Sequence, residues 1–152
     1  MNVKRILLIG LVLVAVAASI SFVAADSSVK VGGIDFSIPD GYNENASLAM
    51  DEVSGTYPTK DGDVPCKLSH KEFEKGKDAI SIKVFSCDSP DDAKKIFEYD
   101  QGLLNGTEKT INGQKGSYLN DTDHVEFFYY KDSNYIAVAA NDGSLLDKLV
   151  PK

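Results

Sequence analysis

The chain has no tryptophan, only two histidines and two cysteines, and no signature of a common catalytic site. His70 and His124 are too far apart for an H-E-x-x-H zinc helix. There is no G-x-S-x-G nucleophile elbow, no phosphate-cradling loop and no G-x-G-x-x-G fingerprint. A Ser-His-Asp triad draws its members from distant parts of a chain and leaves no local mark; none is assigned. No motif calls for a cofactor. His70 sits in a charged stretch, which predicts a solvated surface side chain.

Positive charge is also scarce. The formal charge is −7, and without Lys4 and Arg5 the residues from Asp26 onward carry −9. Such a surface repels phosphate backbones and anionic lipid headgroups, which excludes nucleic acid as a partner. Low-complexity tracts and internal repeats are absent too.

Only one long apolar run exists. Lys4-Arg5, the stretch from Ile6 and the small residues Val23-Ala24-Ala25 form the three-part pattern of a signal peptide, with cleavage expected after Ala25. The run is also long enough to cross a bilayer, which takes about 20 residues. An uncleaved signal anchor is therefore the alternative. No cysteine follows the small residues, so there is no bacterial-type lipoprotein box. The chain then reads as a leader, 1–25, and one domain, 26–152. Its expected location is outside the cell, secreted or on the outer face of the envelope. The expected partner is a protein or small molecule there, with the membrane involved only if the leader stays on.

Export sets the reading of the cysteines. An even count in an oxidising compartment predicts a disulfide, Cys66 to Cys87. Their spacing matches neither a C-x-x-C redox pair nor a common zinc set. Three Asn-x-Ser/Thr sequons, at Asn45, Asn105 and Asn120, fall in loop-like stretches and are candidate glycosylation sites.

Local patterns give an α+β protein with an antiparallel sheet. Val29–Ile38 reads as a hairpin turning at Gly32-Gly33. NENASLAMDEVSG carries no clear pattern and reads as loop, with a short strand near Tyr57. AISIKVFSC alternates as a half-buried strand. A turn at Gly76-Lys77 would set Cys66 opposite Cys87, with the first half of that hairpin as an edge strand. Ser89-Pro90-Asp91-Asp92 is a helix start, with cap, first-turn proline and two acids. Ala93, Ile96 and Phe97 make one apolar side, the charged residues lie elsewhere, and Asn105-Gly106 ends the helix. Asn112-Gly113 marks another hairpin. SLLDKLVPK reads as a short helix with Leu145, Leu146 and Leu149 inward.

The segment HVEFFYYKDSNYIAVAAND poses the functional question. With Asp132-Ser133 as the turn, Tyr130 faces Tyr135 and Tyr129 faces Ile136; a three-residue turn through Asn134 would shift the pairing by one. Val125, Phe127 and Tyr129 share one face; Glu126, Phe128 and Tyr130 share the other. A strand apolar on both faces is central, with a layer on each side. Either the protein covers both faces, or Phe128, Tyr130 and Tyr135 floor a ligand groove. Nearby, Asp121, Asp123 and Glu126 form the better placed of two acidic clusters able to offer oxygens to a cation. Asp61-Gly62-Asp63 is the other. Neither completes a twelve-residue calcium loop.

VGGIDFSIPDGY and INGQKGSYLNDTDHVEFFYYKDSNYIAVAANDGSLLDKLV resemble phrases in small exported proteins of methanogenic archaea. More remotely, the order of elements is similar to the PsbP-like fold. That resemblance implies an antiparallel sheet with helices on its faces and a non-enzymatic accessory role. It brings no catalytic residue with it. The expectation is thus a non-catalytic binding or accessory module. A hydrolase using the Asp121–Glu126 acids and a structural envelope component joined through an edge strand are the alternatives.

Overall fold

The computed structural model describes residues 26–152; the expected leader, 1–25, lies outside them. β1 (Ser27–Val31) and β2 (Ile34–Ile38) form a hairpin apart from the main sheet. The main sheet contains β3 (Asn43–Glu44), β4 (Met50–Thr59), β5 (Gly62–Lys75), β6 (Asp78–Cys87), β7 (Thr107–Ile111), β8 (Gln114–Asn120), β9 (Val125–Lys131) and β10 (Asn134–Ala140). Its order is β3-β5-β6-β10-β9-β8-β7, with β4 also on β5, and every pair is antiparallel. α1 (Pro90–Leu104) packs on one face, and the short α2 (Leu146–Leu149) lies with the β1–β2 hairpin on the other. None of the described helices is long and apolar enough to span a membrane.

Turn chemistry fixes the register. Gly32 and Gly33 take positive φ between Val31 and its partner Ile34. Asn112 and Gly113 do the same between Ile111 and Gln114. Asn112 also donates to the Asp147 and Val150 carbonyls at 2.7 and 2.8 Å, tying the C-terminal turn to β7–β8. Ser89 caps α1 by accepting from the Asp92 N–H, and Asn105 ends it in the left-handed region.

β9 and β10 pair as the turn predicts, Tyr130 with Tyr135 and Tyr129 with Ile136. Alternation then splits the core. Phe127, Tyr129, Ile136 and Val138 meet Phe36, Ile38, Leu146 and Leu149 on the hairpin side. Phe128, Tyr135 and Ala137 meet Ala93 and Ile96 on the α1 side. The protein covers both faces itself.

The hairpin side leaves no room at Gly116, where a Cβ would come within 2.5 Å of the Phe128 carbonyl oxygen and 2.7 Å of the Phe127 ring. Backbone cannot yield as a side-chain tip can, so Gly116→Ala should cost about 1–3 kcal/mol in urea unfolding. An unchanged midpoint would mean that β8 and β9 approach less closely.

Three expectations need correction. The Met50–Thr59 segment, read mostly as loop, is a ten-residue strand. Its pattern was hidden because only Tyr57 is buried and the register slips between Met50 and Val53. β5 is not an edge: β6 pairs one side, and β4 and β3 share the other. Finally, Cys66 and Cys87 stand directly opposite each other but are free thiols. Register sets the two side by side, whereas forming a bond also takes an oxidant. Instead the Cys87 thiol lies 3.7 Å from the Phe85 carbonyl.

Burial, helped by the neighbouring Cys66 and by acids, pushes the Cys87 thiol up to about 12, and burial raises Cys66 as well. Thiolate is the reactive form. The reduced, folded protein should therefore resist iodoacetamide at pH 8 and react quickly once unfolded. Equal rates in both states would contradict this placement.

Candidate functional site

Phe128 and Tyr135 are fully buried beneath α1, so they do not floor an open groove. Phe97 of the helix lies 5.9 Å from the Phe128 ring and 5.3 Å from that of Tyr130, centroid to centroid. Only Tyr130 keeps an exposed surface. The aromatic face is the bed of the helix.

That bed closes over a carboxylate from the helix itself. Asp100, 1 % exposed, accepts hydrogen bonds from Tyr57 at 2.7 Å and Tyr135 at 2.5 Å. Helical spacing from Ile96 sets Asp100 on the inward side, and β4 and β10 bring the two tyrosines to it. Burial raises the Asp100 carboxyl while the two donors pull it down; both tyrosine hydroxyls are driven well up. All partners satisfy one another, so this triad locks α1 to the sheet.

Further along the same face the side chains turn polar. Register aligns His70 with Lys83, Lys83 with Ala137 and Ala137 with Phe128. The next row runs Glu72, Ser81, Ala139, Glu126 and Leu119. His70, Glu72, Ser81 and Glu126 are all buried, whereas Lys83 and Ala139 are half-buried. Between Glu126 and Ser81 the side-chain layer is thus a single methyl deep, at Ala139.

The expected solvated histidine is a buried one. Its sequence surroundings are charged, but β5 is interior and turns His70 inward. Burial, then Lys83, push His70 down to about 4, against an opposing backbone contact from Leu48. Its Nε2 lies 3.1 Å from Ser81 Oγ and 3.5 Å from Glu72 Oε1. A relay needs serine on one ring nitrogen and acid on the other. Here one nitrogen faces both, on a ring that is neutral and weakly basic. The arrangement is not that of a hydrolytic triad.

Glu126 is another buried carboxylate on this face. It is 6 % exposed and forms no side-chain hydrogen bond, although the one fully enclosed side-chain polar atom without a partner among the described residues is Ser117 Oγ. Burial raises it to about 7, with Lys83 pulling down and Asp100 pushing up. Lys83 likewise forms no ion pair or hydrogen bond among the described residues. A carboxylate held this far from water is costly to keep charged.

The acidic cluster does not converge. Glu126 points into the helix face, while Asp121 and Asp123 are exposed in the turn before β9. Asp121 Oδ1 accepts from the Thr122 N–H at 2.7 Å, and the Asp123 carbonyl accepts from Asn141. Among the described residues no three His, Cys, Asp or Glu side chains are grouped to hold a metal. Asp61 instead lines an open depression of about 360 Å³ with Thr59, Lys60, Lys95, Glu98 and Tyr99. Its charges are already matched, Lys60 with Asp61, Lys95 with Asp92 and Glu98 with Lys94. At the Glu126–Lys83 corner neither charged group forms an ion pair among the described residues.

The sequons differ in setting. Asn45 is half-buried and donates to Glu74 at 2.9 Å while its oxygen accepts from Ser47. Asn105 and Asn120 are exposed. No protein-family model, curated protein or solved structure matches this chain.

Proposed function

We propose that this is an exported, non-catalytic binding or accessory module, secreted or held at the outer face of the envelope. It contacts its ligand at the Glu126–Lys83 corner. One observation carries the reading: a carboxylate only 6 % exposed shares a face with a lysine, and neither forms an ion pair among the described residues. A hydroxyl-bearing ligand, such as a sugar, serves both at once, donating to Glu126 and accepting from Lys83. Export rests on the leader pattern, and the accessory role is what the PsbP-like resemblance implies.

The test is an amide NMR titration of the reduced 26–152 domain with monosaccharides, beside amino acids as zwitterionic probes. Saturable shifts at Lys83, Glu126 and Ala139 with a sugar, lost in Lys83→Ala, support the reading. Shifts only with amino acids would change the ligand class. No saturable shift with either would remove the corner as a site.

A second reading rests on β4. This edge strand has Met50 and Val53 exposed and, among the described residues, its outer side unpaired. Self-association there would suit a structural envelope component. Mass-resolved sizing over a range of concentrations would reveal it.

A further inference from the structure

Three sequons share a motif but not an environment. At Asn45 the amide nitrogen that a glycan would occupy already donates to Glu74 Oε1, and Ser47 Oγ holds the amide oxygen at 2.6 Å. Attaching a sugar there replaces one of the two amide hydrogens beside Glu74 and places bulk against β5, to which the Asn45 N–H is also tied at 2.8 Å through the Glu72 carbonyl.

Asn105 and Asn120 are arranged differently. Asn105 holds the left-handed position past α1, exposed, and neither its side chain nor that of Asn120 is hydrogen-bonded among the described residues. Thr107 pairs with Tyr118, and its hydroxyl donates to the Tyr118 carbonyl. One step back, Gly106 packs on Ser117 and Leu119 so closely that a Cβ there would collide with Ser117 Oγ. Both asparagines therefore sit at the same open end of the β7–β8 hairpin, free at their amides and facing solvent.

We propose that Asn105 and Asn120 are N-glycosylated and that Asn45 is not, so that two glycans project from one corner of the sheet. The reaction is group transfer from a lipid-linked oligosaccharide. The asparagine Nδ2 forms a bond to the anomeric carbon, the carbon–oxygen bond to the lipid pyrophosphate breaks, and the pyrophosphate leaves with that electron pair. The amide proton passes to a base of the transferase. A flexible, hydrated glycan costs the folded state little at an exposed site. The proposal rests on the export reading above.

The test is the intact and peptide mass of the full chain purified from its own host. Glycan mass on the Asn105 and Asn120 peptides, with Asn45 bare, is the expected result. Thr107→Ala should remove one glycan and Thr122→Ala the other, each leaving the asparagine and the fold in place. A glycan on Asn45, or bare Asn105 and Asn120, overturns the proposal. The N-terminal mass separates the two readings: a bare chain starting at Asp26 retains export and rejects modification, whereas a bare chain still carrying residues 1–25 counts against both a released domain and its modification.

Discussion

Asp100→Ala lowers the unfolding free energy by about 2–5 kcal/mol. The reason is asymmetric. The substitution removes a carboxylate but leaves the Tyr57 and Tyr135 hydroxyls buried with no acceptor, and each orphaned group costs about 1–3 kcal/mol. Tyr57→Phe or Tyr135→Phe alone should cost about 1 kcal/mol, since Asp100 keeps one donor. Removing all three polar groups together, as Tyr57→Phe, Tyr135→Phe and Asp100→Leu, should cost less than Asp100→Ala does alone. Urea unfolding of the four variants measures this. If the triple variant is the least stable, the polar triad contributes specific stability that orphaned groups do not explain.

Glu126→Gln stabilises the protein at pH 8 and leaves it unchanged near pH 4. The folded carboxyl is raised from 4.5 to about 7. A carboxyl raised on folding contributes stability that is fully present below its unfolded value and lost as pH rises through its folded value. The loss is complete above about pH 7 and amounts to about 3 kcal/mol for a shift of this size. Glutamine removes the charge but stays polar, so the gain at pH 8 should be about 1–3 kcal/mol. His70 works the other way. Lowered from 6.5 to about 4, it contributes stability that is full above 6.5 and lost as pH falls toward 4. In the natural protein the two slopes oppose each other between 4.5 and 6.5. In Glu126→Gln the His70 slope should emerge as stability rising over that interval. Urea midpoints taken at a series of pH values give the answer; parallel profiles for the two proteins would show that Glu126 is not buried as a charge.

Much of the architecture was legible because local chemistry and global packing agree at the turns. Gly32-Gly33, Gly76-Lys77, Asn112-Gly113 and Asp132-Ser133 each fix a two-residue connection, and each sets a register that alternation then reads out. The helix start at Ser89-Pro90 was legible for the same reason. The α+β class follows from those elements.

What escaped was tertiary. β4 bears the side-chain pattern of a solvent-exposed edge, with Glu52 at positive φ in its bulge, and no periodicity marks such a strand. The Lys60-Asp61 turn, with Gly62 at positive φ directly after it, was the one available signal. His70 misled because a stretch of lysines and glutamates looks like surface until neighbours on both sides make it interior. Asp100 was within reach: counting four from Ile96 puts it on the inward side of α1. Its tyrosine partners were not, since Tyr57 comes from 43 residues away. The face of Glu126 was correctly read from the turn, yet its isolation depends on which donors other strands bring near, and no sequence pattern reports that.

The most direct test of the account is the side-chain 13C titration of Glu126 in the folded domain, with Lys83→Ala beside it. The account predicts a midpoint near 7 in the natural sequence and a higher one in Lys83→Ala, because the lysine holds the carboxyl down. A midpoint in the ordinary glutamate range, unmoved by the substitution, would mean a solvated carboxylate with no tie to Lys83, and the corner would cease to be a site.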